Sequence, residues 1–439
     1  MRQDDEHPLR YPLVNELHAR PSPRLTPPCT VAYVAFKEPR DAAGRDRALD
    51  AEHLGALVAR HGGPRPDPED SHYQGRLGCF DLKWESHTEF VTYAATTPGL
   101  PPRPFDPGAG RIFPDDWQSE APGKRIAAAL VQVEVLPDDP AEALTRLEEW
   151  FVPDSLTAAW VLEEAALVAG DFRIDASGWM RFAVFVRPGT GAGRIGRIVQ
   201  RLLELETYRA MSMLGLGRAR DLGRRLNALE PRLTAIVDGM ADTERSAETL
   251  LHELTSMSAE LESQATQFSF RFGATDAYQA IVLDRVATLR ETRFFGRQLL
   301  TEFMARRYQP AMRTVKSTEA RMRSLIERAT RAGDLLRTRV DVQRSAQNQV
   351  LLESMDRRAD LQLRLQHTVE GLSVVAISYY AVGLLGYATY PLAAALHMEK
   401  PLLTAALTPL VVLAVWWGMR RVRARLHDAA GDHAGHGDL

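Results

Sequence analysis

The sequence predicts a mixed α+β chain: an α/β domain over residues 1–190, a helical, coiled-coil stalk over 191–370, and a transmembrane hairpin near the C-terminus. Three observations carry this. Of 26 prolines, 21 lie at or before Pro188; proline lacks the backbone donor and clashes inside a helix, so strands, turns and short helices come first and long helices follow. Two uncharged apolar runs, Gly371–Leu396 with 26 residues and Pro401–Met419 with 19, match the ~20 residues a helix needs to cross a ~30 Å hydrocarbon core. Between these regions Leu250, Leu254, Met257 and Leu261 repeat in steps of four and three, the seam of a coiled coil.

In chain order, the proline-punctuated opening from Pro8 to Pro21 favours extended segments. Thr30–Phe36 reads as a strand from its β-branched, apolar content. Asp41–His61 places Leu49, Leu54, Leu57 and Val58 at helical spacing and stops at Gly62-Gly63-Pro64. Gly78–Thr96 alternates as two strands or one bent strand. Phe80, Leu82 and Trp84 share one face, with Asp81, Lys83, Glu85, His87 and Glu89 on the other. Thr97–Gly123 is Pro/Gly-rich and is expected to be a long surface loop. Arg125–Leu136 is a strand, and Pro140–Phe151 a helix with proline in its first turn. Ala158–Val168 fits strand and helix equally, and Asp171–Val186 reads as a hairpin turning at Asp175–Gly178.

From Gly189 to Tyr390 only Pro231 and Pro310 interrupt the chain, so they should divide it into helical segments. A second seam runs Met322, Ile326, Ala329, Gly333, Leu336, Val340 and then turns polar at Gln343 and Gln347. Pro310 suits a helix start, and residues 311–370 as one helix would extend about 90 Å. The membrane domains are then 371–396 and 401–419, joined by a periplasmic loop at 397–400 and followed by a tail at 420–439. Arg420, Arg421, Arg423 and Arg425 after the second span set against one Lys and one Glu in the loop place the tail, and with it the N-terminal portion, on the cytoplasmic side of an inner membrane.

Composition excludes some classes. A net charge of -3 with mixed signs gives no nucleic-acid footprint. The acidic opening leads into no apolar h-region, so no secretory signal peptide is expected. Two cysteines, Cys29 and Cys79, are too few for a disulfide framework and read as small buried apolar residues. No nucleophile elbow, phosphate-binding loop or HExxH pattern occurs, so no enzymatic activity is expected.

Gly191–Gly196 matches G-x-G-x-x-G between a strand and a helix. The helix continues where a second parallel strand would be needed, so an interdomain turn is the expectation and no cofactor is assigned. His18, Glu85, His87 and Glu89, joined by Glu16, offer the N/O donors of a divalent-cation or transition-metal site, for magnesium, cobalt or zinc. The same residues also suit a hydrogen-bonded ionic network holding the N-terminal segment to the sheet edge, which is the favoured reading. The tail's His427, His433 and His436 with Asp428, Asp432 and Asp438 read as a short unstructured terminus. No ionisable residue falls within the spans. Pore-facing candidates are Ser373, Ser378, Tyr379, Gly383, Gly386, Tyr387 and Thr389, and Trp416 and Trp417 suit an interfacial belt.

Three stretches, Leu13-Val-Asn-Glu-Leu-His-Ala-Arg-Pro21, Leu82-Lys-Trp-Glu-Ser-His-Thr-Glu-Phe-Val91 and Leu365-Gln-His-Thr-Val-Glu-Gly-Leu-Ser-Val374, resemble a family of uncharacterised bacterial membrane-anchored proteins. The resemblance covers nearly the whole chain and implies no settled activity. The architecture also resembles the CorA-type magnesium and cobalt transporters, which implies a pentameric pore. Their Gly-Met-Asn filter is absent here, where the sequence reads Gly386-Tyr-Ala-Thr-Tyr390. Two expectations follow: a homo-oligomeric CorA-like divalent-cation channel embedded in lipid, or a membrane-anchored scaffold or sensor whose cytoplasmic α/β and coiled-coil regions bind a protein partner.

Overall fold

The computed structural model describes residues 21–39, 44–242, 245–389 and 400–434, together with 7, 9–11, 13 and 14; in the last helix, side chains are described for 404–422. Glu16, His18 and residues 397–399 lie outside the described residues, as do the side chains of the tail histidines and aspartates. The chain divides into two compact units, Met1–Leu336 and Arg337–Leu439.

The first unit is built on a nine-stranded sheet in the order β2-β3-β4-β1-β5-β8-β7-β6-β9. Its strands are β1 (Cys29–Lys37), β2 (His72–Leu77), β3 (Phe80–Ser86), β4 (Phe90–Pro98), β5 (Lys124–Val135), β6 (Thr157–Val161), β7 (Ala166–Ile174), β8 (Met180–Val186) and β9 (Thr292–Arg293). Only β5 and β8 pair in parallel, Ala129 opposite Met180; the other neighbours are antiparallel. Every residue of β1 is buried, as a strand covered on both faces requires.

On one face Ala32, Val34 and Phe36 of β1 and Leu82 and Trp84 of β3 pack with α1 (Arg47–Arg60), α2 (Asp115–Ser119) and α3 (Pro140–Trp150). A buried polar network locks this layer. His53 of α1 bonds Tyr93 Oη through Nδ1 and the Trp117 carbonyl through Nε2, both at 2.9 Å, while Trp117 Nε1 donates to the His53 carbonyl. Burial lowers the His53 pKa against the Trp117 carbonyl, which keeps the ring neutral. This network corrects the expected surface loop: Phe105, Ile112, Phe113 and Trp117 within 97–123 are 4, 0, 2 and 0 % exposed.

Other differences have local causes. Ala158–Val168 is two antiparallel strands, β6 and the start of β7, linked by left-handed Leu162, Glu163 and Glu164 at φ 53°, 55° and 57°. No Gly or Asn announces that turn. The expected helix after Asp41 starts at Arg47, where the Asp46 carboxylate accepts the Ala48 N–H at 2.9 Å. β9 arrives from beyond residue 290 to extend the sheet edge, a pairing no local pattern contains.

The opposite face is covered by α4 (Ala192–Gly239), the first arm of a helical hairpin whose second arm is α5 (Ala247–Leu289). Pro231 does not end α4; it lies inside the helix on an exposed position, and the chain turns only after Gly239. The arms meet closely at Gly215, where a Cβ would sit 2.3 Å from Thr275 Oγ1. The expected seam Leu250, Leu254, Met257 and Leu261 is buried inside this single-chain bundle. After the short α6 (Leu300–Phe303) and a π-helical turn over Met304–Tyr308 comes α7 (Gln309–Ala388). Its early part buries Met312, Val315, Met322, Leu325, Ala329, Ala332 and Leu336. The second seam thus takes Leu325 and Ala332 in place of the half-buried Ile326 and Gly333.

In the second unit two helices, Leu300–Ala388 by its C-terminal part and Thr404–Val422, are long and apolar enough to cross a membrane. The latter belongs to α8 (Lys400–Ala434). Among the described span side chains only Ser378 and Val411 are buried. Ser373 and Thr389 turn back onto the Val369 and Leu385 carbonyls at 2.7 and 2.6 Å. Tyr379 and Tyr387 are exposed, and a Cβ on Gly383 or Gly386 would meet nothing within 4 Å. Arg420 and Arg421 stack over Trp416 and Trp417 at 5.2 and 5.0 Å, one turn back along the helix.

Candidate functional site

The side of the sheet facing α4 and α5 holds a cavity of about 680 Å³, within the ~300–1,000 Å³ range of small-molecule sites. Strand alternation supplies one wall. With Phe80, Leu82 and Trp84 turned into the opposite layer, Asp81, Lys83 and Glu85 face the cavity, and Val31, Tyr33, Thr92, Ala94 and Thr96 join them from β1 and β4. Helical spacing supplies the second wall: Gln200, Glu204 and Thr207 lie on one face of α4 at intervals of four and three, and Arg285 reaches in from α5.

The segment Pro21–Leu25 closes the third side. Its position explains the glycine-rich motif. A Cβ on Gly196 would stand 1.6 Å from the Pro23 carbonyl oxygen, and the Leu25 N–H donates to the Ala192 carbonyl at 3.1 Å. Gly196 is therefore a close-approach residue for the chain rather than for a pyrophosphate.

Ion pairs and hydrogen bonds organise the interior. Lys83 Nζ lies 3.2 Å from Glu85 Oε1. Arg285 Nε donates to Glu204 Oε2, and Gln200 Nε2 to Glu204 Oε1 at 2.7 Å. Burial opposes the Arg285 charge, but the Glu204 carboxylate outweighs it and raises the guanidinium pKa. At the floor Tyr33 Oη and Thr207 Oγ1 lie 2.6 Å apart; burial, reinforced by the Glu85 and Glu204 charges, lifts the phenol well above its ordinary value. Tyr33 is a neutral hydrogen-bonding group here.

Beside the cavity, the turn between β3 and β4 is tied to α5. Glu89, 3 % exposed, accepts from Arg271 Nη2, itself 1 % exposed. It also accepts from Tyr278 Oη at 2.9 Å and lies 3.9 Å from Lys37 Nζ. Burial, then the Glu89 charge, raises the Tyr278 phenol. His87 of the same turn stacks on Phe90 with centroids 4.4 Å apart, and Phe90 packs edge-on against Tyr208 and Tyr278.

The expected donor set is therefore dispersed in its bonding. Glu85 pairs with Lys83, His87 stacks on Phe90, Glu89 pairs with Arg271, and His18 lies outside the described residues. Among the described residues no three His, Cys, Asp or Glu side chains are grouped to hold a metal. The ionic contacts seen among the described residues tie the β3–β4 turn to α5 and the cavity wall to α4 and α5, while Glu16 and His18 of the expected network lie outside them. The residues missed from sequence are Glu204, Arg271, Tyr278 and Arg285. Cys29 is buried, with its thiol pushed up to about 12 by burial; Cys79, expected to be buried as well, is exposed because it sits in the turn between β2 and β3.

A family model described as "Protein of unknown function (DUF3422)" matches residues 5–426. The chain belongs to this family. No curated protein matches it.

Proposed function

We propose that this member of a family of unknown function is a membrane-anchored sensor: its sheet-bearing unit takes a small molecule into the cavity, and its helices report occupancy to the membrane spans. The observation that carries the reading is the cavity itself. Its walls come from the sheet, from α4 and α5 and from Pro21–Leu25, so an occupant touches every layer on that side at once. Two features support a link to the membrane. The turn bearing Glu89 is bonded to α5, and α7 is one helix from Gln309 to Ala388 with an apolar stretch that qualifies as a span. In this reading the termini are cytoplasmic, the anchor sits in a bacterial inner membrane, and the helical surfaces bind further copies or a cytoplasmic protein partner.

The test is to purify the full chain and identify co-purifying small molecules by mass spectrometry after denaturation, beside an Ala94→Trp variant. Ala94 lines the cavity, and an indole there removes much of its volume. A molecule held by the wild type and lost from a folded Ala94→Trp protein is expected. Identical profiles would remove the cavity from the function.

A second reading is favoured by element order: sheet-bearing unit, paired long helices, then a long helix ending in an apolar span and a second apolar helix, as in the CorA-type transporters. On that reading a homo-oligomer, a pentamer if CorA-like, lines a path with Ser373, Ser378, Tyr379, Gly383, Gly386, Tyr387 and Thr389. Flux of magnesium, cobalt or zinc into proteoliposomes above that of empty vesicles would replace the sensor by this channel; the sensor reading expects none.

A further inference from the structure

We infer that the cavity is built for an amphipathic organic anion, a molecule with one carboxylate or phosphate head and a compact apolar body; this rests on the sensor reading and adds the ligand's class to it.

The charges lining the cavity are Arg24, Arg76, Lys83 and Arg285 against Asp81, Glu85 and Glu204, one positive charge in excess with His87 left out of the count. Their bonding leaves the excess at one and places it with Arg24 and Arg76. Glu85 is held by Lys83, and Glu204 by Arg285 and Gln200, so two of the three carboxylates are neutralised within the wall. Asp81 stands opposite Arg76 in the β2–β3 register. Arg24 makes no ion pair among the described residues, and Arg76 has only its Nε bond to the Gly78 carbonyl at 3.4 Å there. Both are exposed at the cavity, where a guanidinium offers the planar donor fork that suits carboxylate and phosphate.

Away from these arginines part of the lining is aliphatic, beside the hydroxyls of Tyr33, Thr92, Thr96 and Thr207. Leu25, Val31, Val199 and Leu203 contribute the aliphatic part from three different segments, and each is at most 6 % exposed. A cationic ligand would be repelled by Arg24 and Arg76 and would find a single carboxylate not already held by a cation or amide of the wall, Asp81, which stands opposite Arg76. A fully hydroxylated neutral ligand would set some of its hydroxyls against this aliphatic patch, where they have no partner. An anion with an apolar body meets neither penalty.

The test uses four probes with one apolar body: phenylbutyrate, phenylbutyl phosphate, phenylbutylamine and phenylbutanol. Each is titrated calorimetrically into the full chain in lipid nanodiscs, with empty nanodiscs as background. The two anions are expected to bind at least tenfold more tightly than the amine or the alcohol. Arg24→Gln with Arg76→Gln is expected to reduce anion affinity about tenfold, ~1.4 kcal/mol, and to leave the alcohol unchanged; both residues are exposed, so folding is not at stake. Equal or tighter binding of the amine, or anion affinity indifferent to the double variant, overturns the inference. If no probe binds although a co-purifying ligand is lost from Ala94→Trp, the anion assignment falls and the sensor stands; if neither is seen, both fall.

Discussion

Replacing Glu89 by Gln keeps the shape of a side chain that is 3 % exposed and removes the charge facing Arg271, 1 % exposed, and Lys37, 6 % exposed. Two buried cations would then surround a neutral amide, and Tyr278 would lose its charged acceptor. Breaking a buried pair by removing one partner costs about 3–5 kcal/mol, because the remaining charge stays desolvated without compensation. At roughly 2 °C per kcal/mol for a chain of this size, the midpoint of thermal unfolding, followed by intrinsic fluorescence of the full chain in mild detergent, should fall by about 6–10 °C. Arg271→Met alone should cost a similar amount. The double variant should recover most of the loss, giving a coupling of at least ~2 kcal/mol in the cycle. Hydrogen exchange should accelerate in the Glu89 variant at residues 86–90 and 268–278 before elsewhere. A loss below ~1 kcal/mol in Glu89→Gln, or additive losses in the double variant, would refute the pair as what holds the β3–β4 turn to α5.

Two further outcomes follow from the geometry. Gly196→Ala puts a methyl 1.6 Å from the Pro23 carbonyl oxygen, which only a backbone shift can relieve; faster proteolysis within residues 21–25, with the sheet still folded, is expected, and unchanged protection would show that the segment does not need this approach. Burial lifts the Asp50 carboxyl from 3.8 to about 6 against the opposing Arg45 guanidinium. The folded chain therefore holds this proton where the unfolded chain has released it, so stability is lowered in full above about pH 6 and restored as pH falls towards 3.8. About two pKa units at ~1.4 kcal/mol each make this roughly 3 kcal/mol. Thermal unfolding from pH 7 to 4 should show the wild type gaining on Asp50→Asn; a difference flat with pH would exclude it.

Strands β1, β3, β4, β5 and the β7–β8 hairpin and the two long apolar helices were legible in the sequence because their signals are local, whereas β2 was not anticipated. Alternation in Phe80–Glu85 separated the core face from the cavity face, and the uncharged runs stood out by length. The site was half legible. Lys83 and Glu85 sat on the correct face, but their partners required the tertiary approach of α4 and α5. One signal pointed there. The seam through Leu250, Leu254, Met257 and Leu261 continues in steps of three and four through Gln264, Phe268, Arg271, Thr275, Tyr278, Val282, Arg285 and Leu289. Polar residues at core positions of a coiled-coil seam mark where the helix meets polar partners in place of an apolar seam. Here Arg271 and Tyr278 meet Glu89, and Arg285 meets Glu204. What no pattern contained was the pairing of β9 with β6 or the burial of Trp117, both fixed by contacts distant in sequence.

That shared seam also decides where the unit can respond to an occupant. Arg271, Tyr278 and Arg285 lie on one face of α5, seven residues apart at each step, yet their bonds differ in strength. The Glu89–Arg271 pair is buried, and separating it costs about 3–5 kcal/mol. Glu204 and Arg285 are 24 % and 32 % exposed, and pairs open to solvent contribute about 0–1 kcal/mol. An occupant pressing on the Glu204–Arg285 pair therefore shifts it, and the adjoining last turns of α5, well before it detaches the helix from the β3–β4 turn. The expected response lies between Arg285 and Leu289, next to the residues that lead into β9. Occupancy should thus be read first as altered hydrogen exchange at 285–293, with 268–278 unchanged; the reverse order would place the hinge at Glu89.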